Sequence, residues 1–215
     1  MKKYLTEFIG TFFLVLTIGL VAATGTPLGP LTIGSILMVM VYMGGHVSGA
    51  HYNPAVTLGI MIRGAVPKSD VLPYMAAQIL GAIAAALVSM LIVGASFAPE
   101  PDPEASVVAA LLVELLFTFA LTLVILNVAT SSATKGNSYF GLAIGFTILA
   151  AAYAGGPISG GAFNPAVGLG PIVVHAIDGK GTFGDLWLYL VGPFAGAVLA
   201  AFVFALQHPD ASSGD

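Results

Sequence analysis

Long apolar stretches separated by short polar breaks run along the whole chain. Six are long, at residues 4–23, 31–46, 71–93, 107–128, 138–154 and 183–206. A hydrocarbon core of about 30 Å takes about 20 helical residues to cross. The strict alternation of barrel strands is absent from these runs. Two further apolar stretches, 53–62 and 164–174, are about half as long. A ten-residue helix rises about 15 Å, half of the core. The pattern predicts an all-α membrane protein with six transmembrane helices and two half-helices.

Both half-length stretches open on Asn-Pro-Ala, at Asn53, Pro54 and Ala55 and again at Asn164, Pro165 and Ala166. Their surroundings, HVSGAHYNPAVTLG from His46 and PISGGAFNPAVGLG from Pro157, share eight of fourteen positions at a constant offset (164 − 53 = 111). Such a match half a chain apart marks an internal duplication. Each copy reads as three spans plus one half-helix. Three is odd, so the second copy enters the membrane from the opposite side, and the half-helices meet near the midplane. The repeat halves are taken as 1–96 and 107–207. A Pro- and acid-rich loop, 97–106, joins them within a single channel-like domain, and 208–215 reads as a flexible tail.

Composition removes the alternatives to a membrane protein. Hydrophobic residues make up 58% of the chain and charged residues 7%, against about 25% charged in soluble domains. Lys and Arg number six and do not cluster, so nucleic acid is no partner. Cysteine is absent. The N-terminal apolar run, interrupted by Glu7, reads as a retained first helix and not as a cleaved leader. Under the six-span reading Lys2, Lys3, Arg63, Lys68 and Lys135 fall on one side and Lys180 on the other. The excess of positive charge places both termini in the cytoplasm of a multi-pass protein. Short loops point to a prokaryotic plasma membrane.

The repeated motif has chemical consequences. Asparagine caps helices, and proline suits the first helical position. A helix that starts inside a membrane exposes unpaired N–H groups and a partial positive charge. Two such ends meeting at the centre repel cations, and the Asn53 and Asn164 amides can donate to a passing neutral solute. A water that accepts from both cannot relay a proton onward. The glycines ahead of each motif (Gly44, Gly45, Gly49 and Gly155, Gly156, Gly160, Gly161) are expected to allow extended backbone. A second repeated signature, Glu7-x-x-x-Thr11-Phe12 and Glu114-x-x-x-Thr118-Phe119, puts one acid in the first helix of each half. Buried acids are costly in a membrane. Glu7 and Glu114 are read as structural acceptors for the non-helical backbone ahead of each half-helix.

These motifs, with Ala77-Gln78-x-x-Gly81, make the chain resemble the aquaporin, or major intrinsic protein, family from Glu7 to about Leu206. The resemblance implies a passive channel for water and small neutral solutes, embedded in lipid. It also implies a homotetramer with one pore per subunit and no cofactor, metal or enzymatic activity. It further implies a selectivity filter of Ile33, Ala152, Gly161 and Val167, where most members carry arginine at the last position. Gly168 and Ile172 depart from glycerol facilitators, and Tyr189-Leu190 departs from strict water channels. FNPAVGLGPIVV is similar to the plant vacuolar branch. A loop side chain near His175 or Asp178 folding over the filter is the alternative to an open mouth. His46 and His51 are read as loop-supporting, and no histidine shows zinc spacing. The competing class is a secondary transporter for a small solute. It would need ionisable groups at the midplane to hold a coupling ion, and none is found beyond Glu7 and Glu114.

Overall fold

The computed structural model describes residues 1–209. Eight α-helices follow in order: α1 Lys2–Thr24, α2 Gly29–Ser48, α3 Pro54–Ile62, α4 Lys68–Val93, α5 Val107–Ile125, α6 Phe140–Ser159, α7 Pro165–Ile177 and α8 Leu188–Gln207. Six are long and apolar enough to span a bilayer, α5 being prolonged by a π turn at Leu126–Thr130. The two short ones, α3 and α7, start at the Asn-Pro-Ala motifs. The expected set of six spans and two half-helices is therefore present.

Packing follows the duplication. Helix α1 lies against α4 and α2, while α5 lies against α8 and α6. Helices α2 and α6 cross between the halves, and each half-helix packs on spans of the other copy, α3 on α8 and α7 on α4. The α2–α6 crossing depends on two glycines. A Cβ on Gly34 would sit 2.7 Å from the Gly145 carbonyl oxygen. With no hydrophobic drive between helices in lipid, such backbone approach is what holds spans together.

Several boundaries differ from the sequence reading. Helix α6 runs to Ser159, so Gly155, Gly156 and Pro157 are helical; likewise α2 runs to Ser48 and includes Gly44 and Gly45. Polar and small residues at the inner helix ends break the apolar pattern without breaking the helix. His46 consequently lies on α2 and is exposed, not in the loop. Left-handed backbone begins only at Gly49 (φ 88°) and Gly160 (φ 85°), which cap the two helices. Helix α8 starts at Leu188 and not at 183, because Leu186 and Leu188 donate to the Phe183 and Asp185 carbonyls in turns (3.2 and 3.0 Å). The 97–106 connection is exposed at Asp102 and Glu104, yet Phe97 packs on the core and the Asp102 amide donates to the Ile158 carbonyl (3.1 Å). It is a docked strap more than a free loop. Of the expected tail, 210–215 lies outside the described residues. His208 stacks on Phe204 with ring centroids 4.3 Å apart.

Candidate functional site

Each half-helix begins on an asparagine in extended backbone, Asn53 at φ −156° and Asn164 at φ −162°. Asn53 Oδ1 accepts from the amides of Ala55 (2.9 Å) and Val56 (3.3 Å), and Asn164 Oδ1 accepts from Ala166 (2.9 Å). The amide nitrogens reach across the repeat. Asn53 Nδ2 donates to the Phe163 carbonyl and Asn164 Nδ2 to the Tyr52 carbonyl, both at 2.9 Å. Each helix start is thereby tied to the chain ahead of the other. A primary amide has two N–H donors, and these contacts use one. Both asparagines line a central cavity of about 220 Å³.

The chain ahead of each half-helix is strained. Ala50, Tyr52 and Phe163 adopt φ near +50°, a region that non-glycine residues seldom occupy. Two buried carboxylates hold it there. Glu7 accepts from Ser48 Oγ (2.6 Å), the His51 amide (3.0 Å), the Tyr52 amide (2.7 Å) and Gln78 Nε2 (2.8 Å). Glu114 accepts from Ser159 Oγ (2.8 Å), the Ala162 amide (3.0 Å) and the Phe163 amide (2.6 Å). The serines pass the restraint on, since Ser48 Oγ accepts from the Ala50 amide and Ser159 Oγ from the Gly161 amide. Backbone freed from a helix in a membrane needs such partners.

Ile33, Ala152, Gly161 and Val167 all line the same cavity as the asparagines. His175 and Asp178 do not line it. Ser96 Oγ contacts His175 Nδ1 (2.8 Å) and donates to Asp178 (2.6 Å), which also pairs with Lys180 (2.7 Å). The Lys180 contact, then the Ser96 hydrogen bond, hold the Asp178 carboxyl below its usual value.

The sequence reading missed part of the wall. On α6 the lining residues are Ile144, Ile148, Ala152 and Gly156, spaced four apart, with large side chains toward the start of the helix and small ones toward its end. That i, i+4 stripe was visible in the sequence but is indistinguishable from a packing stripe until a neighbour fails to cover it. His51, read as loop-supporting, also lines the cavity, a role the sequence reading did not give it. Thr57 Oγ1 donates to the Asn53 carbonyl (2.9 Å), so its contact with His51 Nδ1 (3.1 Å) is one in which the imidazole donates. His51 both supports the half-helix and lines the cavity.

Inverted half-helices meeting at a cavity in a six-span bundle define a transmembrane channel. The sequence model described as Major intrinsic protein matches residues 1–204, and the chain belongs to that family. It is 39% identical to Aquaporin NIP1-4 of Oryza sativa subsp. japonica over 216 residues, covering 96% of this chain and 77% of the relative. It is also 39% identical to Glycerol uptake facilitator protein-like 6 of Lactiplantibacillus plantarum, covering 94% and 96%. The X-ray structure of the aquaglyceroporin from Plasmodium falciparum superposes with a TM-score of 0.86 at 27% identity, covering 99% of each chain. The protein is accordingly a passive channel for water and small solutes and not an enzyme. These relatives do not carry the name of the plant vacuolar branch, to which the FNPAVGLGPIVV stretch is similar.

Proposed function

We propose that this channel passes water together with uncharged solutes such as glycerol, urea, ammonia or hydrogen peroxide, while excluding protons and ions at Asn53 and Asn164. The observation that carries the reading is the lining itself. Ile33, Ala152, Gly161 and Val167 contribute no cation, and the cavity wall contains no Asp, Glu, Lys or Arg. A filter without guanidinium lacks a strong donor for water and is open to broader solutes. A coupled carrier would need an ionisable group at the midplane to hold its ion, which disfavours the transporter reading. The relative named for glycerol uptake supports the solute range.

Ion exclusion then rests on the two helix starts, whose N–H groups and dipoles disfavour a cation in low dielectric. Pro54, Ala55, Pro165 and Ala166 open the half-helices, and Glu7 and Glu114 act as structural acids that hold the strained backbone. The five-to-one split of Lys and Arg supports cytoplasmic termini, and short loops support a prokaryotic plasma membrane. Family resemblance supports a homotetramer. The test is flux of water, glycerol and urea through purified protein in proteoliposomes, with Val167→Arg alongside. Arginine is expected to cut glycerol and urea flux far more than water flux. Equal loss for all solutes would remove Val167 from the filter.

A further inference from the structure

The pathway is not one cavity. A second one, of about 650 Å³, lies on the cytoplasmic side, with Arg63, Lys135 and the π turn after α5 in its wall. The linings of the two cavities share four residues: Val41, Ala50, Ile125 and Ile144. All are apolar and nearly inaccessible, at 2%, 6%, 6% and 4% exposure. They form the collar through which the two cavities meet.

The duplication says what this collar is. In α2, α6 and the loops that follow, equivalent residues stand 111 apart, as Asn53 and Asn164 do (164 − 53). In α1 and α5 the spacing is that of Glu7 and Glu114 (114 − 7 = 107). By these offsets Ile144 matches Ile33, Val41 matches Ala152, Ala50 matches Gly161 and Ile125 matches Ile18. All four outer counterparts line the central cavity. Three members of the collar, Ile144, Val41 and Ala50, are thus the inner images of the filter positions Ile33, Ala152 and Gly161, and Ile125 is that of Ile18 beside them. Isoleucine faces isoleucine at two of the positions. At the other two the inner residue is larger, valine for alanine and alanine for glycine.

The inner ring is also firmly held. Ile144 adjoins Gly145, where a Cβ would meet the Gly34 carbonyl oxygen at 2.5 Å, so α2 and α6 are locked at this level. The Ala50 amide donates to Ser48 Oγ (3.0 Å), itself bound to Glu7. Ile125 is the last α-helical residue before the π turn. Tight interiors do not deform continuously.

We propose that solute size is limited at this cytoplasmic collar of Val41, Ala50, Ile125 and Ile144, and not at the outer filter. The outer ring has lost its arginine and carries Ala152 and Gly161. The inner ring carries the bulkier residue at the two pairs that differ, Val41 and Ala50, and offers no polar side chain, as at hydrophobic constrictions generally. This rests on the channel reading.

The test grafts the outer residues into the inner ring as Val41→Ala/Ala50→Gly, and measures water, glycerol and erythritol flux in proteoliposomes. Glycine suits the left-handed backbone at Ala50, where φ is 52°. Ala50→Gly alone therefore carries the test, in the same direction, if the pair does not assemble. The erythritol-to-water flux ratio is expected to rise about tenfold, the scale on which one methylene changes discrimination in an apolar site. A ratio unmoved by the graft, in protein whose wild type conducts water, overturns the collar. A wild type that conducts neither water nor glycerol above empty vesicles contradicts the channel reading instead.

Discussion

The two carboxylate sites do the same task with different parts. Glu7 receives four hydrogen bonds and Glu114 three. Serine and two backbone amides are common to both. The difference is Gln78, whose repeat position in the second half is Pro193 (78 + 115, the offset that relates Gly81 against Phe8 to Gly196 against Leu115), a residue with no donor. Tyr189 donates its hydroxyl to the Ser159 carbonyl (2.7 Å). Its equivalent in the first half, Tyr74 (74 + 115 = 189), does the same for the Ser48 carbonyl (2.8 Å). The first half therefore carries both a tyrosine and a glutamine where the second has a tyrosine alone. The acid, the serine and the tyrosine are kept in both halves, and only the glutamine is not.

The largest effect expected is from Glu7→Leu, which strands four buried donors at about 1–3 kcal/mol each. Folded protein recovered from membranes should collapse, with Glu7→Gln largely restoring it. Glu114→Leu strands three donors and should lower the melting temperature by less. A larger loss for Glu114 would break the ranking by donor count. Gln78→Leu comes next, and by thermal melting in detergent should cost only about 1 kcal/mol. It removes donors to Glu7 and Thr57, but also an Oε1 that has no partner. Tyr74→Phe and Tyr189→Phe each delete one buried donor to a serine carbonyl, and should lower stability equally, by about 1 kcal/mol. Unequal losses would show that the two tyrosines are not equivalents.

The smallest effect lies outside the paired sites. Asp178 is held below its ordinary value of 3.8 by Lys180 and Ser96. A depressed carboxyl contributes stability above its unfolded value and loses it as pH falls through the folded one. Asp178→Asn should lower the melting temperature slightly at pH 7 and not once the wild-type carboxyl is protonated in acid.

Much of this was legible in the sequence, for a physical reason. Lipid admits few ways to satisfy a backbone, so apolar run length and repeated Asn-Pro starts constrain the fold tightly. Gly44, Gly45, Gly155 and Gly156 were expected to allow extended backbone and are helical, because glycine serves close helix packing and left-handed turns alike. A Cβ on Gly155 would meet Val113 at 2.6 Å, which is a helix-packing contact. The inner ring was hidden for another reason. Val41, Ala50, Ile125 and Ile144 look like any core residues, and only the shape of the space beside them distinguishes a wall from a core.

The most direct measurement follows glycerol flux and proton conductance in the same proteoliposomes containing wild-type protein. With an uncharged filter and the barrier at Asn53 and Asn164, glycerol should pass while proton conductance stays at the level of empty vesicles. Proton conductance well above that level would contradict the central barrier, and a vesicle closed to glycerol would contradict the proposed solute range.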